Sequence, residues 1–347
     1  MRVLSAAGER PQVLMITNMW PHEGHSGYGI FVARQIESVR ALGVDCEVEF
    51  VKGYRSRWAY LRGSIRMILL NLSRRRPLLV HAHGGETALV ARWFARGPVV
   101  TSYCGDDLLG TPQANGAITP SSRIRRAVLR RHARLMTRTI TKSAEMQAVL
   151  GSAARRNLVL PNGVDRDLFH PRPVGEARRE LGWSGEDRIV LFAANPEVER
   201  KRYWLAEAAC REAERSLGPI RLEVGWGIPP ADMPKLMAAA DCLLLTSAHE
   251  GSPNVVKEAV SCNLPVVSVR VGDVAEVLEE VRPSWICDPD PRELGAALAE
   301  CLSDPRRSDG RDRTAWLGQE RIATRLLGLY SELVPELARG PSEPGGC

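Results

Sequence analysis

The chain has 347 residues, 44% apolar and 25% charged, a globular composition too long for one ordinary core, so two domains of about 150 residues are expected. Net charge is +6 but unevenly spread: residues 1–170 hold 25 Lys+Arg against 12 Asp+Glu, and residues 171–347 hold 22 against 29, so the first half is expected to meet something anionic. Eight cysteines without a CxxC pair argue against a zinc site and read as reduced core thiols of a cytosolic protein, and 5% aromatic content argues against base-stacking platforms for nucleic acid.

The first residues carry no long apolar run before a small-residue cleavage site, so no signal peptide is expected. The longest apolar stretches, such as 65–72, fall far short of the roughly 20 residues that span a bilayer. VLMIT at 13–17 reads as a buried parallel strand, followed by PHEGHSGYG and the helix IFVARQIESVRALG. The strands CEVEFV, LLVHA at 78–82 and VVTSY at 99–103 come next, the last running into a polar loop, CGDDLLG. Residues 123–150 read as helical, and 157–160 as a strand entering PNGVD.

After residue 173 the pattern restarts. Strands are expected at 188–192, 221–225, 242–246 and 265–269, with helices at about 202–216, 232–240, 254–262, 274–280 and 291–302. A last helix at about 316–335 closes the chain, and the tail from 338 is expected to be disordered. Alternating strands and helices in both halves indicate α/β architecture with two parallel sheets, hinged near 170, whose carboxyl ends face a cleft.

The segment with the strongest chemical signal is SAHEGSPNVVKEA, 247–259. It follows a buried strand and opens a helix, so Gly251, Ser252, Pro253, Asn254 and Val255 put backbone N–H groups where an anion binds. Glu250 lies in the loop, able to grip sugar hydroxyls; Glu258 lies one turn inside the helix, where a carboxylate accepts two hydrogen bonds from a ribose diol. The competing reading is a plain helix start with two solvated glutamates.

This stretch resembles the EGxP…EA signature of the retaining GT-B glycosyltransferases of family 4. TNMWPHEGHSGYGIFVARQIESVRALG looks like that family's glycine-rich loop and first helix, VHAHGGETALVA like its H-x-H-G strand end, and PNGVDRDLF like its interdomain motif. The resemblance covers about 12–335. It implies a GT-B fold: two Rossmann-like domains, 1–170 on the acceptor side and 171–315 binding a nucleotide-sugar, with the helix 316–337 crossing back to the first.

The resemblance also implies roles. Glu258 binds the nucleotide ribose and Glu250 the donor sugar. Lys201, in NPEVERKRYWLAEAA, neutralises the leaving diphosphate. Gly27 and Gly29 approach the phosphates. The family's arginine beside that lysine is missing; Asn195 stands near its place, and Arg200 or Arg202 is left to substitute. Where the family has His-Gly after the third strand, this chain has Cys104-Gly105, then Asp106 and Asp107, which either bind donor or acceptor hydroxyls or cap the loop. His83, at a strand end, is a candidate for hydrogen bonding to acceptor or phosphate as a neutral imidazole. His81 is assigned to the strand's opposite face and to a structural role.

No metal or other cofactor is expected. The two DxD spacings, Asp165-x-Asp167 and Asp288-x-Asp290, fall in an interdomain turn and a Pro-bracketed loop. Between Arg123 and Arg138 seven arginines interleave with Ile124, Val128, Leu129, Leu135 and Met136, a pattern that fits either a solvated basic face or peripheral contact with an anionic membrane. A cytoplasmic enzyme, with such contact at the inner membrane face, is the expectation.

The expected reaction is retaining transfer of a hexose from a UDP- or GDP-sugar to a glycan, lipid-linked or small-molecule acceptor. A nucleotide-sugar epimerase, a sugar phosphorylase and a non-catalytic sugar- or nucleotide-binding protein are the alternatives. A dinucleotide oxidoreductase is disfavoured because GHSGYG is not GxGxxG.

Overall fold

The computed structural model describes residues 12–22, 27–53, 56, 58–72, 76–110 and 118–338. The residues expected to form the disordered tail lie, apart from Ala338, outside this set, as does the middle of the PHEGHSGYG loop. The chain forms two compact units, dividing between Gly163 and Val164 and again between Gly318 and Gln319.

The first unit carries a six-stranded parallel sheet in the order β2-β1-β3-β4-β5-β6. Its strands are β1 Val13–Thr17, β2 Cys46–Phe50, β3 Leu79–His83, β4 Val99–Ser102, β5 Arg138–Thr141 and β6 Asn157–Val159. The helices are α1 Ile30–Ala41, α2 Trp58–Leu72, α3 Gly85–Phe94, α4 Asp106–Leu109, α5 Pro120–Ala133 and α6 Ala144–Leu150. Parallel strands covered on both faces read as unbroken apolar runs, which is why VLMIT is entirely buried. Alternation along β1 divides the cores: Val13 and Met15 pack with α1, while Leu14 and Ile16 pack with α2 and α3.

The second unit carries a five-stranded parallel sheet in the order β11-β10-β9-β7-β8. Here the strands are β7 Ile189–Phe192, β8 Arg221–Val224, β9 Cys242–Leu245, β10 Val266–Val269 and β11 Ser284–Cys287. The helices are α7 Val174–Leu181, α8 Tyr203–Leu217, α9 Met233–Ala239, α10 Asn254–Ser261, α11 Val274–Leu278, α12 Pro291–Ser303 and α13 Gly310–Arg313. The last helix, α14 Gln319–Leu333, belongs to the first unit and packs on α1.

Five sequence expectations need correction. The stretch 123–150 is not one helix: β5 interrupts it, its Thr139–Thr141 run being β-branched and buried. CGDDLLG is not all loop, because Asp106–Leu109 make one helical turn. β11, α2 and α7 were also not anticipated. Strand β11 is only partly buried, so no apolar run announces it, and α7 is anchored by a polar residue: Arg178 is buried and pairs with Asp241 at 2.8 Å.

Helix α14 joins the first unit through its core. Tyr330 is fully buried, and its hydroxyl lies 2.5 Å from His81 Nδ1, whose Nε2 meets Ser102 Oγ at 2.8 Å. Tyr330→Phe keeps the ring and strips the imidazole of one partner. It is expected to cost about 1–3 kcal/mol in urea unfolding. An unchanged midpoint and slope would mean that the bond contributes nothing net.

Candidate active site

In the second unit three loops converge at the carboxyl ends of β7, β9 and β10. The first ends in a short turn, Glu199–Lys201, before α8; the second, 246–253, leads into α10; the third leads into α11. Hydrogen bonds join the first two. Thr246 Oγ1 donates to the Lys201 carbonyl at 2.8 Å, and Ala248 N donates to the Arg200 carbonyl at 2.7 Å. Arg202, in the left-handed region at φ 49°, donates to the carbonyls of Thr246 and Ser247 at 2.6 and 3.0 Å. Its guanidinium is thereby used as a staple.

This stitching sets Lys201 and Arg200 on Glu250. Lys201 Nζ lies 2.5 Å and Arg200 Nη1 3.2 Å from Glu250 Oε1. The carboxylate side chain is only 12% exposed. Burial, the largest influence, pushes its pKa up, but Lys201 and then Arg200 outweigh it and hold the group below the usual carboxylate range. Two cations and one anion therefore lie together beside the N-terminus of α10, which has Pro253 as its N-cap and no side-chain cap. Glu258 lies half-buried one turn into that helix. Asn195 is placed differently: its Oδ1 accepts from Glu197 N at 2.9 Å, closing a local turn.

Behind the turn is a buried polar group that the sequence reading passed over. Lys257 is 1% exposed; its ammonium donates to Ser252 Oγ and lies 3.3 Å from Asp273 Oδ2. Ser252 Oγ donates to the same Oδ2 at 2.7 Å. Burial pushes the Lys257 ammonium's pKa down, and Asp273 opposes that. A signal existed, because positions 253, 256, 257 and 260 share one helical face and the other three are apolar. Gly272, at φ 55°, lies against the Glu250 and Gly251 carbonyls; a Cβ there would come within 2.9 Å of the first.

In the first unit, β3 and β4 end at His83 and Ser102. His83 is 1% exposed and neither ring nitrogen has a hydrogen-bond partner among the described residues. Burial, then the charge of buried Lys142, lowers its pKa to about 3, so the ring is neutral at pH 7. The placement of His81 on the opposite face is wrong. Residues two apart on a strand share a face, and the rings stack with centroids 4.2 Å apart. Lys142, just after the unanticipated β5, is a further polar residue missed from sequence.

Asp107 caps its loop. It accepts from the backbone N–H groups of Gly85, Cys104, Gly105 and Leu108 at 3.0–3.1 Å, which uses the carboxylate on the chain itself. Asp106 is exposed on the same turn. Burial first, then Asp107, pushes the Cys104 thiol up to about 12, so it stays protonated. Gly29, at φ 67°, starts α1, and a Cβ there would stand 2.4 Å from the Met19 carbonyl carbon; Gly27 is exposed, with nothing near it.

Among the described residues no three His, Cys, Asp or Glu side chains group to hold a metal ion, and no helix is long and apolar enough to cross a membrane. Asp165 Oδ1 closes a turn by accepting from Asp167 and Leu168 N–H, and Asp290 caps α12. In the segment between Arg123 and Arg138, Leu129 and Met136 are core residues, whereas Ile124, Val128 and Leu135 are exposed, so the supposed single apolar stripe is split.

Residues 2–163 match the family described as "Glycosyl transferase 4-like domain" and residues 190–304 the family "Glycosyl transferases group 1". The D-inositol 3-phosphate glycosyltransferase of Thermobispora bispora is 28% identical over 59% of this chain and 57% of its own length. The chain thus spans little more than half of that relative. The putative teichuronic acid biosynthesis glycosyltransferase of Bacillus subtilis is 24% identical over 77% of this chain and 82% of its own. Among solved structures, sucrose-phosphate synthase from Thermosynechococcus elongatus superposes with a TM-score of 0.78 at 18% identity, over 94% of this chain and 100% of the other. Anabaena HepE, solved with UDP and glucose, gives 0.69 at 18% identity, over 93% and 100%.

Proposed function

Because the chain belongs to the group 1 glycosyltransferases of the family 4 type, with the GT-B fold, we propose that it moves a hexose-type sugar from a nucleotide-diphosphate donor, UDP or GDP, to a glycan, lipid-linked or small-molecule acceptor, with retention and without a metal ion. One observation carries this reading: Lys201 and Arg200 are gathered on Glu250 beside the uncapped start of α10. Rupture of the bond from the sugar's anomeric carbon to the diphosphate leaves negative charge on the departing oxygen. Fixed cations and helix N–H groups stabilise that charge without reorganising. Arg200, not Arg202, takes the place of the family arginine, because Arg202 is committed to backbone carbonyls.

In the proposed reaction the acceptor hydroxyl attacks on the face the diphosphate leaves, and its proton passes to the departing oxygen. No protein nucleophile is needed. Glu250 keeps Oε1 on its two cations and offers Oε2 to the sugar hydroxyls, and Glu258 holds the ribose. UDP in the structurally similar HepE and the inositol phosphate acceptor named for the D-inositol 3-phosphate relatives fit this class of reaction. Incubation with radiolabelled UDP- and GDP-sugars and a panel of acceptors tests it. Transfer, or slow donor hydrolysis, supports the proposal; epimerised donor or bare nucleotide binding favours the alternatives.

Glu258→Ala is expected to weaken UDP or GDP binding by about 10- to 100-fold in calorimetry, the loss of a bidentate charge-assisted pair with the ribose. Affinity equal to the wild type would remove Glu258 from the site.

A further inference from the structure

Helix α2 turns large apolar side chains to solvent along its whole length. Trp58 is 72% exposed, Leu61 50%, Ile65 48%, Ile68 40%, Leu69 62% and Leu72 70%. Their spacing of three or four residues makes one stripe down a 15-residue helix, about 22 Å long. The opposite side is apolar too: Met67, Ala59 and Tyr60 pack into the core against β1 and β3. A helix apolar on both sides is normally buried, and a folded surface rarely presents so long an apolar strip without using it.

The charge around the strip is predominantly positive, with Glu47 and Glu49 both paired to Arg66 of α2. From residue 50 to 85 the chain holds eight Lys+Arg and no Asp or Glu. Arg55 and Arg57 precede α2 in the sequence, Arg74, Arg75 and Arg76 follow it, and Arg62 is exposed on it. The neighbouring helices continue the pattern on the same side of the sheet. Helix α2 packs on α3, where Trp93 is 72% exposed, and Arg92 of α3 donates to the Leu135 carbonyl at 2.8 Å just beyond α5. On α5, exposed Ile124 and Val128 stand among exposed Arg123, Arg130 and Arg131.

We propose that the α2 stripe lies in the interface of an anionic lipid bilayer, with α2 as the inserting element and exposed Arg62, Arg123, Arg130 and Arg131 on the lipid phosphates. The charge decides between occupants. Arginine stems run along apolar surface and raise their guanidinium heads to headgroup level, and a predominantly positive fringe, whose Glu47, Glu49 and Glu86 are already paired with Arg66 and Arg125, matches a negative surface. A second copy would bring the same positive fringe against itself. The inference is independent of the donor-site reading, since vesicle binding requires no sugar nucleotide.

Sedimentation of the full chain with extruded vesicles tests it. Phosphatidylcholine vesicles containing about 30% phosphatidylglycerol should pellet the protein at least about tenfold more strongly than phosphatidylcholine alone, and added salt should weaken that binding. Leu61→Ser/Leu69→Ser/Leu72→Ser changes only exposed positions. It should reduce binding at least about tenfold with the circular dichroism spectrum and Tm retained. Should the triple variant not fold, Arg62→Glu gives a second readout and should weaken binding to anionic vesicles only. Three results overturn the proposal: wild-type protein left in the supernatant with both vesicle types, variants that bind like wild type, or a wild-type dimer in ultracentrifugation that the triple variant dissolves while neither form binds vesicles.

Discussion

Lys201→Ala is expected to lower kcat by about 10²–10³-fold while the KM for the sugar nucleotide changes only a few-fold. The asymmetry follows from when the charge is needed. In the proposed donor complex the diphosphate would be shared among the backbone N–H groups at the start of α10 and the nearby cations, so one lost cation would be partly covered. During bond rupture the extra negative charge appears on one oxygen, and a preorganised ammonium stabilises that state more than the ground state. Lys201 suits the task because its own turn is held by Thr246 Oγ1, so its position costs nothing at the moment of reaction. Arg200 remains on Glu250 in the variant and keeps the loop ordered. Lys201→Arg should recover only part of the rate, since a guanidinium fork does not reproduce a compact ammonium. A rise in KM at unchanged kcat would instead make Lys201 a ground-state binding residue.

Lys257→Met is expected to destabilise the second unit by about 3–5 kcal/mol. Methionine fills much of the same volume, so the loss is electrostatic: Asp273, 6% exposed, would keep a charge with only Ser252 Oγ beside it. The double variant Lys257→Met/Asp273→Leu removes both charges and should regain most of that stability, because the desolvation cost disappears with the pair. Urea unfolding of the single and double variants separates these outcomes. If the single variant loses less than about 1 kcal/mol, Asp273 is solvated or protonated and the pair holds nothing together. A smaller effect on function should accompany the loss, since Ser252 lies in the turn that opens α10 and Gly272 presses on the carbonyls before it.

Much was legible in the sequence because its physics is local. Buried parallel strands must be nearly all apolar, so β1, β7, β9 and β10 could be placed to within a residue or two. A loop of Gly, Ser, Pro and Asn before Val-Val-Lys-Glu-Ala favours a helix start, and that local rule places Glu250 in the loop and Glu258 in the helix that follows it. The positive excess of the first half was visible too. The arginine count draws attention to α5, whereas the longer exposed apolar strip is on α2, and exposure is not a property of a sequence window.

What needed the tertiary structure were choices among equivalent residues. Arg200 and Arg202 differ by two positions in one run of basic residues. Only the left-handed turn at Arg202, with carbonyls of the next loop in reach, commits one to the backbone and leaves the other to Glu250. Asp106 and Asp107 are adjacent, and only the path of four backbone N–H groups makes the second a cap. Lys257 and Asp273, sixteen residues apart, become a buried pair because β10 lies next to β9, so the helices that follow the two strands start side by side. Local composition fixes which segments bury and which open helices. Partnership between polar groups depends on distances set by sheet order, and no spacing along the chain encodes those directly.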